Sequence, residues 1–171
     1  MSYKISLSNI TTFIFDVDGV LTDGNVYLFN NEVVRSLNSR DGYALQYATK
    51  MGYNIFVITG GNSEAVKERL LSAGVKEVIL KASNKQVVYA ELKEKHNITD
   101  QEVLYMGDDI PDYNVMQQVG IAACPQDAAI EIKNISHYQS PFDGGRHCVR
   151  DVIEQTLRVQ GKWFSDAAHE W

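Results

Sequence analysis

The chain has 171 residues, 16 Lys and Arg against 22 Asp and Glu, and a formal net charge of −6. A hydrophobic fraction of 44% with 22% charged residues describes one globular domain with a real core and excludes disordered, collagen-like and low-complexity chains. The acidic balance argues against a nucleic-acid partner, and no run approaches the roughly 18 apolar residues of a membrane span, although one local site can still be positive enough for an anionic substrate.

The first strong strand covers Thr12 to Val17 (TFIFDV), an apolar, β-branched run that ends in Asp16, Asp18 and Gly19 and suits a buried parallel sheet. From about 24 to 38 two alternating apolar segments flank Asn30-Asn31, and Asn tolerates positive φ, which predicts a β-hairpin. A helix follows over Asp41 to Met51. Tyr53 to Thr59 is a strand, and Ser63 caps a helix that runs to about Ala73 and stops at Gly74. Glu77 to Leu80 reads as a short strand and Asn84 to His96 as a helix. Val103 to Met106 is a strand leading into Gly107-Asp108-Asp109, with a helix over about Asp112 to Val119. Ile121 to Cys124, Ala128 to Ile135 and Val149 to Gln160 complete the pattern as strand, helix and helix.

Strands alternating with helices predict an α/β fold, a Rossmann-like parallel sheet with helices on both faces and a β-hairpin insertion. Open sheets of this kind bind ligands beyond the carboxyl ends of their strands. Asp16 and Asp18, Thr59, and Asp108 and Asp109 all stand at such ends, and Lys85 opens a helix. They are expected at one edge. Cys124 and Cys148 lie far apart and read as free thiols of a reducing compartment, so the expected location is cytoplasmic; MSYKISLSNITTF carries no secretory pattern. His96, His137, His147 and His169 show no ligand spacing, so a bound metal needs oxygen ligands.

Four segments carry a resemblance. DVDGVLTD at 16–23, ITGG at 58–61, Lys85 and GDDIPD at 107–112 resemble, in order, the four motifs of the haloacid dehalogenase superfamily. A lone Asp-x-Asp is weak, but four motifs at their expected boundaries are specific. The resemblance implies a phosphatase. Uncatalysed phosphate monoester hydrolysis is slow enough to demand acceleration on the order of 10²¹-fold, and a carboxylate nucleophile splits it into two easier steps. On this reading Asp16 attacks phosphorus, and Asp18 protonates the leaving alkoxide and then activates water. Asp16, the backbone carbonyl of Asp18 and Asp108 would hold Mg²⁺. Asp109 and Asp112 would orient those ligands or Lys85; Thr59, the N–H of Gly60 and Lys85 would hold phosphoryl oxygens. The acid at position 18 separates phosphatases from dehalogenases and ion pumps of the superfamily.

The interval between Asp18 and Thr59 leaves no room for a cap domain. SRDGYAL at 39–45 and GGRHCVRDVIEQTLRVQGKW at 144–163 extend the resemblance to the capless tetrameric branch, whose members dephosphorylate an eight-carbon 2-keto sugar acid on the route to lipopolysaccharide. A nine-carbon, sialic-acid-like substrate is the alternative. Arg40 and Arg146 are candidates for the substrate carboxylate, since guanidinium meets carboxylate bidentately. This chain departs from the family at Gly61, where many members carry Arg. An isolated hairpin is marginal in water, and apolar Val26 to Leu37 should find identical hairpins in a homotetramer. The expected division is one phosphatase domain over 1–161 and a tail over 162–171, with Lys162 to Phe164 as a partial lid and the last residues loose.

Overall fold

The computed structural model describes residues 3–170. Six parallel strands make one sheet: β1 (Thr12–Phe15), β4 (Asn54–Ile58), β5 (Glu77–Ile79), β6 (Val103–Met106), β7 (Ile121–Cys124) and β8 (Tyr138–Gln139). Their order is β5-β4-β1-β6-β7-β8, which puts β1 inside, parallel to both β4 and β6. The chain leaves β1 to one side and later returns to its other side, so a crevice opens beyond its carboxyl end. β2 (Tyr27–Phe29) and β3 (Glu32–Val34) form a separate two-stranded hairpin.

Strand side chains alternate between two cores. Phe13, Phe15, Ile55, Val57, Leu104 and Met106 point into one, with α2 (Ser39–Lys50), α3 (Glu64–Ser72) and α7 (Cys148–Val159). Ile14, Phe56, Ile58, Val103 and Tyr105 point into the other, with α4 (Lys85–His96), α5 (Tyr113–Met116) and α6 (Ile130–Ile135). Both faces are thus covered, which is why the strands read as continuous apolar runs. A short helix α1 (Tyr3–Ser6) precedes the sheet, and neither it nor β8 was expected from the sequence.

Several boundaries differ from expectation, each for a local reason. β1 stops at Phe15 because Val17–Leu21 closes a wide turn, with Thr22 N–H donating to Val17 O at 3.0 Å. α2 starts two residues early since Asn38 Oδ1 accepts from the backbones of Arg40 and Asp41. The helix expected over 112–119 shrinks to α5: Pro111 belongs to a tight turn over Ile110–Asp112, and Gly120 closes against Asp100 O at 2.6 Å. The hairpin turn is as expected, with Asn30 at φ 45° and Asn31 at φ 67°.

Within the described residues the tail packs on α2. Tyr47 OH donates to Lys162 O at 2.9 Å and accepts from Ser165 N at 3.0 Å, and Trp163 sits edge-on to the Tyr47 ring. A last turn over Asp166–His169 is held by Tyr43 OH on Ala168 O. Tyr43, Tyr47 and Lys50 of α2 bond the tail backbone as far as Glu170. Trp171 lies outside the described residues.

Candidate active site

The strand ends build the site. Asp16 follows β1 directly, its N–H donating to Met106 O of β6 at 3.1 Å, so its side chain leaves the sheet at the crevice. The chain then folds through the wide turn, with Asp18 inside it. Gly19 at φ +88° lets the turn press on Asp108: a Cβ there would stand 1.9 Å from Asp108 Oδ2. From the other side Gly144 rests on the turn, where a Cβ would meet Gly19 O at 2.0 Å. The Gly-Gly-Arg segment is thus a backbone buttress behind the first motif, with Gly145 N–H donating to Val20 O at 2.8 Å.

Lys85, the first residue of α4, is 5% exposed and reaches under the cleft. Its Nζ lies 2.8 Å from Asp16 Oδ1 and 2.7 Å from Asp112 Oδ1. Asp112 accepts further bonds from Tyr105 OH at 2.6 Å and from Asp108 N–H at 3.2 Å. With Oδ1 accepting from both Lys85 and Tyr105 and Oδ2 from the Asp108 backbone, Asp112 holds Lys85 beside Asp16. Thr59 is buried at the end of β4, with its N–H on Ile79 O and its Oγ1 accepting from Gly61 N–H at 3.0 Å. Asp109 is exposed at the rim and caps the following turn through Ile110 N–H at 2.8 Å, without reaching Lys85.

A cleft of about 450 Å³ joins Asp16, Asp18, Thr59, Gly60, Lys85 and Asp108. Carboxylate oxygens of Asp16, Asp108 and Asp112 lie within 4.8 Å of one another. Burial, with the charges of Asp16 and Asp112 added, pushes the Asp108 carboxyl up to about 8. Burial and Asp112 push Asp16 up to about 6 against the pull of Lys85. For Lys85, burial lowers the pKa but Asp16 and Asp112 outweigh it, so the ammonium is held above its ordinary value. Buried carboxylates that repel one another this strongly call for a further cation. Asp108 Oδ1 is a buried acceptor with no donor among the described residues, and the donor set is all oxygen, which fits Mg²⁺.

Two expected residues lie elsewhere. Arg40 faces a second cleft of about 690 Å³, formed with His147, Arg150, Glu154 and Arg158. Arg146 is exposed near Asp23 and does not line the acidic cleft. Sequence reasoning also passed over a residue that the fold brings in: Arg35, just after β3, holds Asp18 with Nε on Oδ1 at 2.6 Å and Nη2 on Oδ2 at 3.0 Å. Its only sequence signal is a basic residue closing an apolar strand. Tyr105 was likewise read as a plain strand residue.

A family model described as haloacid dehalogenase-like hydrolase matches residues 71–144. The 3-deoxy-D-manno-octulosonate 8-phosphate phosphatase of Escherichia coli strain K12 is 37% identical over 155 residues, covering 90% of this chain and 82% of that protein. The crystal structure of the Yersinia pestis phosphatase of the same name superposes with a TM-score of 0.90 at 33% identity, over 93% of this chain and 86% of the other. That from Moraxella catarrhalis, in complex with a magnesium ion, a phosphate ion and a KDO molecule, gives 0.92 at 26% identity, over 97% and 96%.

Proposed function

This chain belongs to the haloacid dehalogenase-like hydrolases, and on that premise we propose that it is a Mg²⁺-dependent phosphatase of 3-deoxy-D-manno-octulosonate 8-phosphate. The observation that carries the reading is the single cleft joining Asp16, Asp18, Thr59, Lys85 and Asp108 at the carboxyl ends of the strands. The names of the most similar relatives, and the KDO molecule in one of them, support the substrate.

In the first step Asp16 attacks phosphorus, forming an aspartyl-phosphate while the sugar alkoxide leaves with a proton from Asp18. In the second, Asp18 takes a proton from water, which displaces phosphate and frees Asp16. Lys85 sits against Asp16 and offsets the charge brought by the phosphoryl group; Thr59 and the Gly60 N–H offer donors to its oxygens. Asp16, the Asp18 carbonyl and Asp108 would hold Mg²⁺, which would supply the positive charge that lets an anionic nucleophile meet a phosphate dianion. Arg40 and Arg146 would meet the sugar carboxylate only in an assembly, since neither lines the cleft of a single chain.

Assembly fits the rest of the chain. Tyr27, Leu28 and Phe29 are all exposed, Leu28 at 81%, on a hairpin whose strands, among the described residues, pair only with each other. We assign this face to a homotetramer that completes the sugar pocket in place of a cap. The location is cytoplasmic and the product feeds lipopolysaccharide synthesis; among the described residues no helix is long and apolar enough to cross a membrane.

Turnover of eight- and nine-carbon 2-keto acid phosphates with Mg²⁺ tests the reading. The eight-carbon compound should be preferred; preference for the nine-carbon compound overturns the substrate and leaves the chemistry. Asp16→Asn should lower kcat/KM by at least ~10⁴-fold with the fold intact, and retained activity removes Asp16 as nucleophile.

A further inference from the structure

The hairpin is exposed along both strands, yet Arg35, one residue beyond β3, turns inward and is only 10% exposed. Its guanidinium grips Asp18 through both carboxylate oxygens at 2.6 and 3.0 Å, the bidentate geometry that fixes a carboxylate in plane and direction. The backbone makes room for it. A Cβ on Gly61 would stand 3.4 Å from Arg35 Nη2, 3.3 Å from Thr59 Oγ1 and 3.6 Å from Asp18 Oδ2. Gly61 therefore borders the spot where the guanidinium, Asp18 and Thr59 converge, and a Cβ there would be tightest against Thr59 Oγ1 and Arg35 Nη2.

Asp18 has no comparable restraint from its own loop. It lies in a turn whose φ/ψ depart from helical values at Asp18 and Gly19, and no other side-chain hydrogen bond to its carboxylate is found among the described residues. We infer that Arg35 is the positioning residue for the general acid Asp18, delivered by the hairpin into space that Gly61 leaves open. The inference rests on the phosphatase reading and adds a coupling to it: the element that faces other subunits also aims the acid. A hairpin displaced by failed assembly would carry Arg35 away from Asp18.

Leaving-group dependence tests this. A nitrophenyl phosphate expels a stabilised anion that needs no proton, whereas a sugar alkoxide needs one. Values of kcat/KM, which cover the steps up to the aspartyl-phosphate, are compared for the two substrates in wild type, Asp18→Asn, Arg35→Ala and Arg35→Lys. Arg35→Ala should lose about 10²-fold on the sugar phosphate and less than about 3-fold on the aryl phosphate, with Arg35→Lys between it and wild type. The ratio of the two activities is independent of the fraction of protein folded, so poor folding of a variant does not mask the result. Equal losses on both substrates, no loss, or a gain in Arg35→Ala overturns the positioning role. If Asp18→Asn itself shows no leaving-group selectivity, the acid assignment fails instead, and a wild type inactive on both substrates removes the phosphatase reading.

Discussion

The acidic cleft and the hairpin sit only a few residues apart in the chain and are built on opposite terms. In the cleft Asp16, Lys85 and Asp112 are tied to one another and to the sheet: Asp112 alone accepts from Lys85, Tyr105 and the Asp108 backbone. The hairpin has Tyr27, Leu28, Phe29, Val33 and Val34 exposed, and among the described residues its two strands pair only with each other. A two-stranded ribbon is marginal alone, while a buried ion-pair cluster is costly to disturb. On the proposed reading the chemistry is assembled within one chain and its substrate cover comes from other subunits. Arg35 ties the second region to the first through Asp18.

The contrast is sharpest at Asp112. Asp112→Ala strips Lys85 and Tyr105 of a shared buried acceptor and should destabilise the fold by roughly 3–5 kcal/mol, seen in denaturant unfolding, with turnover lost as Lys85 swings from Asp16. An unfolding midpoint equal to wild type would mean that the cluster is not the tightly determined region described. At the hairpin the expectation reverses. Leu28→Asp with Phe29→Asp should change the stability of a single subunit by no more than about 0.5 kcal/mol and shift sedimentation to a smaller species. An unchanged sedimentation coefficient would remove the hairpin from the interface.

A third test lies in pH. Asp16 at about 6 and Asp108 at about 8 are raised above ordinary carboxylates, so between about 4 and 8 the folded state holds protons that the unfolded chain has lost. The metal-free protein should lose stability as pH rises across that window and level off above it. Mg²⁺ competes with those protons, so its binding and the stabilisation it brings should grow over the same range. Thermal unfolding followed from pH 5 to about 8.5, with Mg²⁺ and with a chelator, reads both trends; stability of the metal-free form rising with pH would contradict the repulsion among the three carboxylates.

Much of this architecture was legible before the fold was seen. β6 and β7 match their expected bounds because a short apolar run buried on both faces has one reading, and Asp16, Thr59 and Asp108 mark strand ends directly. Ser63 announced its helix through a side-chain cap that the structure contains, whereas Asn84, expected as the first residue of its helix, is the cap before it. The shortened α5 was not legible, since its end depends on Gly120 closing against Asp100 from another part of the chain. Two-residue β8 carries too little pattern to register. Arg40 looked like an anion contact beside Asp41, yet Asp41 turns inward to the Arg150 N–H at 2.8 Å and Arg40 faces another cleft.

The sequence by itself determined which residue types stand at the carboxyl ends of the sheet, and therefore where the acidic cleft forms, because alternation and apolar runs report burial one element at a time. Only the tertiary structure decided who holds whom. That Lys85 bridges Asp16 to Asp112, that Tyr105 reaches the same carboxylate, and that Arg35 grips Asp18 across 17 positions of chain follow from strand order and loop course. Those pairings are choices among charges far apart in sequence, and a period read along one strand or helix carries no information about them.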